Sequence, residues 1–176
     1  MTQQDFLYLH ISIPNWYGIQ RELRSILSYR PPKNMYHIVP GGYYRSSFPL
    51  LYAWFDACDL TPVMVADMRV EGHHPAHVDI WEGVLGLNLP VDNCDASITR
   101  FWSSSAEGER VASTSIPHWR WSFDQLRERD RYSLTGPVIT NTNVIHSVES
   151  VGGVRRSLSF RFLRDPWELA GVDQNA

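Results

Sequence analysis

The sequence predicts a mainly β chain, a sandwich or open barrel whose outer face is covered by N-terminal helices. Two observations carry this expectation. Two segments with helical apolar spacing lie before residue 60. From residue 63 the texture changes, and short β-like runs follow one another at 63–70, 76–81, 84–91, 97–102, 137–148 and 154–163. Turn chemistry in "EGHHP", "VDNCD" and "SVGGV" separates several of them. Helices followed by a run of strands indicate a sheet sandwich with helices on one side.

Taken in order, residues 5–13, "DFLYLHISI", read as a short strand. "SIPNWYGIQRELRSILSYR" reads as a helix. Ser12 or Asn15 can cap it, Ile19, Leu23, Ile26 and Leu27 form one stripe, and "RPP" stops it. "SFPLLYAWFDAC" reads as a second helix, with Ser47 as N-cap, Pro49 in the first turn and an apolar face of Leu51, Trp54, Phe55 and Cys58. At 122–132, "SFDQLRERDRY", Ser122 and Gln125 match a capping box and predict a helix inserted among the strands.

The chain has 176 residues, 43% hydrophobic and 20% charged, which suits one soluble globular domain spanning 1–176. A net charge of −3 and a pI near 6.1 leave no basic footprint, so no nucleic-acid partner is expected. The N-terminus lacks a basic region followed by an apolar one, and no apolar run approaches a membrane span. A cytoplasmic protein is therefore expected, with no membrane partner. The two cysteines, Cys58 and Cys94, have no metal-knuckle spacing and read as free thiols.

Chemistry is concentrated in "GHHPAHVDIW". His77 and Asp79 are two residues apart, so in a strand their side chains share a face and can converge on one ion. Imidazole and carboxylate suit Fe(II), Mn or Zn. The spacing alone is weak, and a third ligand is required. His73 and His74 lie in the Gly/Pro-flanked turn and read as solvated bystanders. Downstream, "PVITNTNVIHSVESVGGVRRSLSFRF" holds His146. In its last strand Leu158, Phe160 and Phe162 share one face, and Arg155, Ser157, Ser159 and Arg161 share the other. The apolar face belongs under the helices. The other face is either an exposed polar surface or, pointing inward, suits a dicarboxylate held by a guanidinium and a neighbouring hydroxyl. Arg156 falls on the opposite face and reads as an exposed charge. In "VLGLNLPV", Leu85, Leu87 and Leu89 share a face, while Gly86 leaves room beside Asn88, which can reach a ligand or serve a structural bond.

His77-x-Asp79, the distal His146 and Arg155-x-Ser157 together resemble the Fe(II)/2-oxoglutarate-dependent oxygenases, over roughly residues 72–162. The resemblance implies a double-stranded β-helix, the jelly-roll, cupin-like fold. It implies iron held by His77, Asp79 and His146, and 2-oxoglutarate held at its far carboxylate by Arg155 and Ser157. "RRSLSFRF" resembles the nucleic-acid-repair branch, which adds Arg161 near the iron-proximal carboxylate. The texture as a whole resembles small bacterial and phage members. The acidic charge and the lack of an obvious nucleotide-recognition lid depart from the repair enzymes, so their substrate is not carried over. The implied activity is hydroxylation of a small molecule or an amino-acid or peptidyl side chain, with release of succinate and CO2. Residues 103–121, with Trp119, Arg120 and Trp121, and the loop at 41–45, with Tyr43 and Tyr44, are candidate rim segments. Two other readings stay open: a cupin-like metal enzyme that does not use 2-oxoglutarate, and a non-enzymatic jelly-roll binding module. Either a monomer or a homodimer is compatible with the sequence.

Overall fold

The computed structural model describes residues 5–26, 36–80, 83–112 and 117–171. Ten strands and two α-helices run in the order β1 (Tyr8–His10), α1 (Trp16–Ser25), β2 (Tyr36–Pro40), α2 (Pro49–Ala57), β3 (Pro62–Asp79), β4 (Leu85–Asp92), β5 (Ser97–Ser103), β6 (Glu109–Val111), β7 (His118–Trp121), β8 (Arg127–Ser133), β9 (Val138–Asn141) and β10 (His146–Phe162). All strand pairings are antiparallel. The expected jelly roll is the observed architecture.

Its two layers share their central strands. β3 and β10 pair along most of their length, but their other neighbours change part-way. The second half of β10 lies beside β4, and the first half beside β5. The first half of β3 lies beside β2, and the second half beside β7. One layer is therefore β1-β9-β4-β10-β3-β2 and the other β8-β5-β10-β3-β7-β6. The crossover falls where the sequence predicts turns. Between the pairs Ser150↔Gly72 and Arg155↔Val70, β10 advances five residues while β3 advances two. Gly152 (φ 76°) and Gly153 (φ 155°) absorb this bulge in backbone regions that glycine enters freely. "EGHHP" and "SVGGV" thus bend two continuous strands where separate strands were expected.

The apolar parity places the core. Leu158 and Phe160 of β10, Val65 of β3 and Leu87 of β4 face Ile19 and Leu23 of α1 and Leu51 and Phe55 of α2. Each such side chain contributes about 1.5–3 kcal/mol by leaving water. Helix α1 starts after Asn15, which adopts a left-handed conformation and makes no side-chain cap. Phe48, not Ser47, is the N-cap position of α2. The orphan amides of that helix are met from outside: Glu22 of α1 accepts from Leu50 N at 2.7 Å and Leu51 N at 3.1 Å. Leu27 and the "RPP" stop lie outside the described residues.

The helix expected at 122–132 is absent. Residues Phe123–Gln125 make one 3₁₀ turn and Arg127–Ser133 form β8 against β5. The segment has no apolar stripe to dock a helix. Its charged residues are exposed along an edge strand, where charge guards against further pairing.

Candidate metal centre

Three side chains that line the cavity between the layers converge on one another. The potential ligand atoms of His77, Asp79 and His146 all lie within 4.8 Å of one another. His77 and His146 are direct partners across the β3–β10 ladder, and Asp79 follows His77 on the same face. Each imidazole is oriented from behind. His77 Nδ1 donates to Pro75 O, and His146 Nδ1 to Val144 O, both at 2.9 Å. These bonds fix the tautomer and leave both Nε2 lone pairs for the shared point. His77 Nε2 stands 3.4 Å from Asp79 Oδ1. The other carboxylate oxygen, Oδ2, accepts from Arg161 Nη2 at 2.8 Å.

The surroundings favour a neutral His146 and an ionised Asp79. Burial pushes the His146 imidazole down to about 4, helped by the neighbouring His77, so it is neutral at pH 7. Burial works to raise the Asp79 carboxyl, but His77 and the Arg161 guanidinium outweigh it and hold the group ionised, well below the usual carboxylate range. Two imidazoles and one carboxylate oxygen are a donor set that suits a divalent transition metal.

The cavity has a volume of about 580 Å³. Arg155 and Arg161 both line it. Arg155 is 2% exposed. Its one hydrogen bond among the described residues runs from Nη1 to Thr99 Oγ1 at 3.3 Å, and Nε has no partner. No carboxylate among the described residues pairs with it. Ser157 is fully buried, and its Oγ also lacks a partner. Asn88 lines the cavity and donates through Nδ2 to Thr140 Oγ1 at 3.0 Å. Arg161 spans from Ser159 Oγ to Asp79. It fits only because residue 86 is glycine: a Cβ there would stand 1.9 Å from Arg161 Nη1.

Two expectations need correction. Arg156 does lie on the opposite face from Arg155, but that face is covered. Arg156 is buried, ion-paired to Asp67, and donates to Ile26 O at the end of α1. His74 is not a solvated turn residue. It is buried, it lines the cavity, and its ring centroid lies 4.6 Å from that of His77. The cause is a bulge. From His77 to His74 β3 advances three residues while β10 advances two, which reverses the parity and turns His74 inward. His73 is exposed, as expected, and 3.7 Å from Glu149. Tyr36, Thr99, His118, Tyr132 and Thr140 also line the cavity and carried no sequence signal. Of the candidate rim residues, Arg120 lines the cavity and pairs with Glu109, whereas Trp121 bonds to Ala106 O.

Fold and site together define a jelly roll with a buried cluster of two histidines and one carboxylate. No protein-family model matches the chain, and no curated protein matches it in sequence. Solved structures do match. The epimerase SnoN, solved with Fe3+, alpha-ketoglutarate and nogalamycin RO, has a TM-score of 0.51 at 10% identity, over 96% of this chain and 86% of its own. A prolyl hydroxylase from Trichoplax adhaerens, solved with a peptide of the hypoxia inducible factor oxygen degradation domain, has a TM-score of 0.48 at 12% identity, over 97% and 89%. A Pseudomonas putida prolyl-4-hydroxylase has a TM-score of 0.46 at 12% identity, over 90% and 91%. These are likenesses of fold. No helix among the described residues is long and apolar enough to cross a membrane.

Proposed function

We propose that the protein is an Fe(II)- and 2-oxoglutarate-dependent oxygenase that hydroxylates a small molecule or an amino-acid or peptidyl side chain. The observation that carries this reading is Arg155. A guanidinium buried beside a candidate metal site, with no anion to neutralise it, is costly unless a ligand supplies the charge. A dicarboxylate that also reaches the metal meets that need. A metal enzyme whose ligands carry no acidic group offers no counter-charge to such a residue, so the buried arginine favours a carboxylate-bearing ligand such as 2-oxoglutarate.

In this reading His77, Asp79 and His146 hold the iron, and Arg155 holds the far carboxylate of 2-oxoglutarate, with Ser157 and Asn88 beside it. Iron and 2-oxoglutarate, when bound, supply the oxidising chemistry. The protein's part is positional. Arg161 keeps Asp79 ionised and its Oδ1 turned to the metal point. The backbone carbonyls of Pro75 and Val144 set the imidazoles. The two sheets shield the site from water.

The test is anaerobic addition of Fe(II) and 2-oxoglutarate to the purified protein. A weak visible charge-transfer band is expected, followed by slow succinate formation once O2 is admitted. His77→Ala and His146→Ala should lose both signals. Absence of band and succinate in the native protein refutes the reading.

A further inference from the structure

We propose that the substrate is a small molecule with an apolar body and one carboxylate, and that Arg120 holds that carboxylate at the mouth of the cavity. This rests on the reading of the cavity as an iron and 2-oxoglutarate site and names the class of molecule that shares it.

The cavity is closed along one pair of sheet edges. Between β1–β9 and β5–β8 the gap is filled by Phe101, Tyr132, Leu134 and Val138, with Tyr8 packed against them. Tyr8 stacks on Phe101 at 5.6 Å, and its hydroxyl donates to Arg131 O at 3.2 Å, a bond from β1 to β8. At the opposite edges stand β2 and the β6–β7 hairpin. Both send side chains into the cavity: Ile38 from β2, Val111 from β6 and Arg120 from β7. Arg120 lines the cavity, yet its side chain is 45% exposed, so it marks the mouth. Its backbone is the register partner of His77. The arginine therefore runs from beside a candidate metal ligand out to solvent.

The lining defines what fits there. Histidines aside, its charged side chains are Asp79, Arg120, Arg155 and Arg161. Three guanidinium groups against one carboxylate leave an excess of two positive charges. A divalent metal and doubly ionised 2-oxoglutarate cancel each other and leave that excess unchanged. A cleft of one sign concentrates ligands of the other. Arg161 is committed to Asp79, and Arg155 serves 2-oxoglutarate in the proposed reading, so Arg120 is the cation left for a second anion. Its side chain makes one hydrogen bond among the described residues, from Nη2 to Glu109 at 2.9 Å. Glu109 is not part of the lining, and its side chain is 71% exposed. Such an exposed pair adds little stability. It also leaves donors of Arg120 for a carboxylate, which a guanidinium fork meets in two contacts. Inward of Arg120 the wall is apolar, with Ile38, Met64, Ala66 and Met68 contributed by β2 and β3. Met64 is the register partner of Arg161, the residue on Asp79. A carboxylate on Arg120 thus lays an apolar body along this wall, toward the candidate metal group. A cavity of about 580 Å³ suits a small molecule.

The test is ligand-observed NMR titration of protein loaded with Zn(II) and 2-oxoglutarate. The probes are hexanoate and phenylacetate, with their amides as uncharged controls. Each acid should bind about tenfold or more tightly than its amide, the effect of one hydrogen-bonded contact to a charged group. Arg120→Gln should weaken the acids by about ten- to a hundredfold. It should leave Zn(II) and 2-oxoglutarate affinities unchanged, which also reports that the variant is folded. Glu109→Gln should strengthen the acids by about two- to fivefold, because it removes the competing carboxylate. Absence of acid binding, or equal affinity for acids and amides, overturns the inference. Native acid affinity in Arg120→Gln overturns it too. So does displacement of the acids by further 2-oxoglutarate, since they would then sit at Arg155. The parent reading fails separately: a native protein that takes up Zn(II) but no 2-oxoglutarate removes it, and this inference with it.

Discussion

Arg156 grips both oxygens of Asp67, with Nε on Oδ1 at 3.0 Å and Nη2 on Oδ2 at 2.7 Å, on the covered face of the sheet directly behind the cavity. Its third donor, Nη1, reaches Ile26 O at 2.7 Å and ties the end of α1 to β10. Neighbouring arginines of one strand therefore face opposite tasks. Arg156 is neutralised by the fold, while Arg155 has no carboxylate partner among the described residues.

Arg156→Ala should cost about 3–5 kcal/mol of stability, because it leaves the Asp67 carboxylate buried and alone. Urea denaturation of apo protein measures this. The double replacement Arg156→Met with Asp67→Leu should recover much of the loss, since an apolar pair of similar size leaves no unpaired charge. A single variant as stable as the native protein would show that this pair is not buried in solution.

Arg155→Ala should leave metal binding nearly intact and weaken 2-oxoglutarate by roughly 30- to 150-fold, corresponding to about 2–3 kcal/mol. Arg155→Lys should recover little, because an ammonium cannot reproduce the two-pronged contact. Calorimetry on metal-loaded protein separates the two affinities. Equal 2-oxoglutarate affinity in all three proteins would remove Arg155 from the site.

Gly86→Ala is a small change that reaches the candidate metal centre indirectly. The new methyl would overlap Arg161 Nη1, so the guanidinium must move off Asp79. Loss of a group that orients a metal ligand typically lowers metal affinity about 10- to 100-fold. Competition with a chromophoric chelator measures the drop. Arg161→Gln should show a comparable loss, and the two changes combined should not add, since they break the same contact.

The thiols should differ in reactivity. Cys94 is buried and donates to Arg156 O, and burial pushes its thiol pKa up. Cys58 ends α2 with partial exposure, and burial raises its pKa as well. Both should label slowly at neutral pH and faster as pH rises, because the thiolate is the reacting form. In native protein a maleimide should modify Cys58 first, and Cys94 only on unfolding. Mass spectrometry of the digested protein after timed labelling distinguishes them.

Local pattern alone determined a good deal of this protein. The period-2 alternation in "RRSLSFRF" placed Leu158 and Phe160 under the helices and aimed Arg155 and Arg161 inward, because side-chain direction alternates strictly along an extended chain. The spacing of His77 and Asp79 put two ligand types on one face for the same reason. What tertiary structure decided lies where that alternation breaks or where the covering layer is unseen. The bulge between His77 and His74 reversed parity and brought a turn-like histidine into the cavity, and no local rule announces an extra residue in one strand of a ladder. Arg156 was assigned the right face but the wrong exposure, because burial depends on α1, more than a hundred residues away. The segment 122–132 carried a helix-start signal but no stripe to dock. β5 offered it a partner, so pairing overrode propensity. The convergence of His146 on His77 is likewise a property of the β3–β10 ladder: residues 69 apart in the chain become neighbours only when the two longest strands pair.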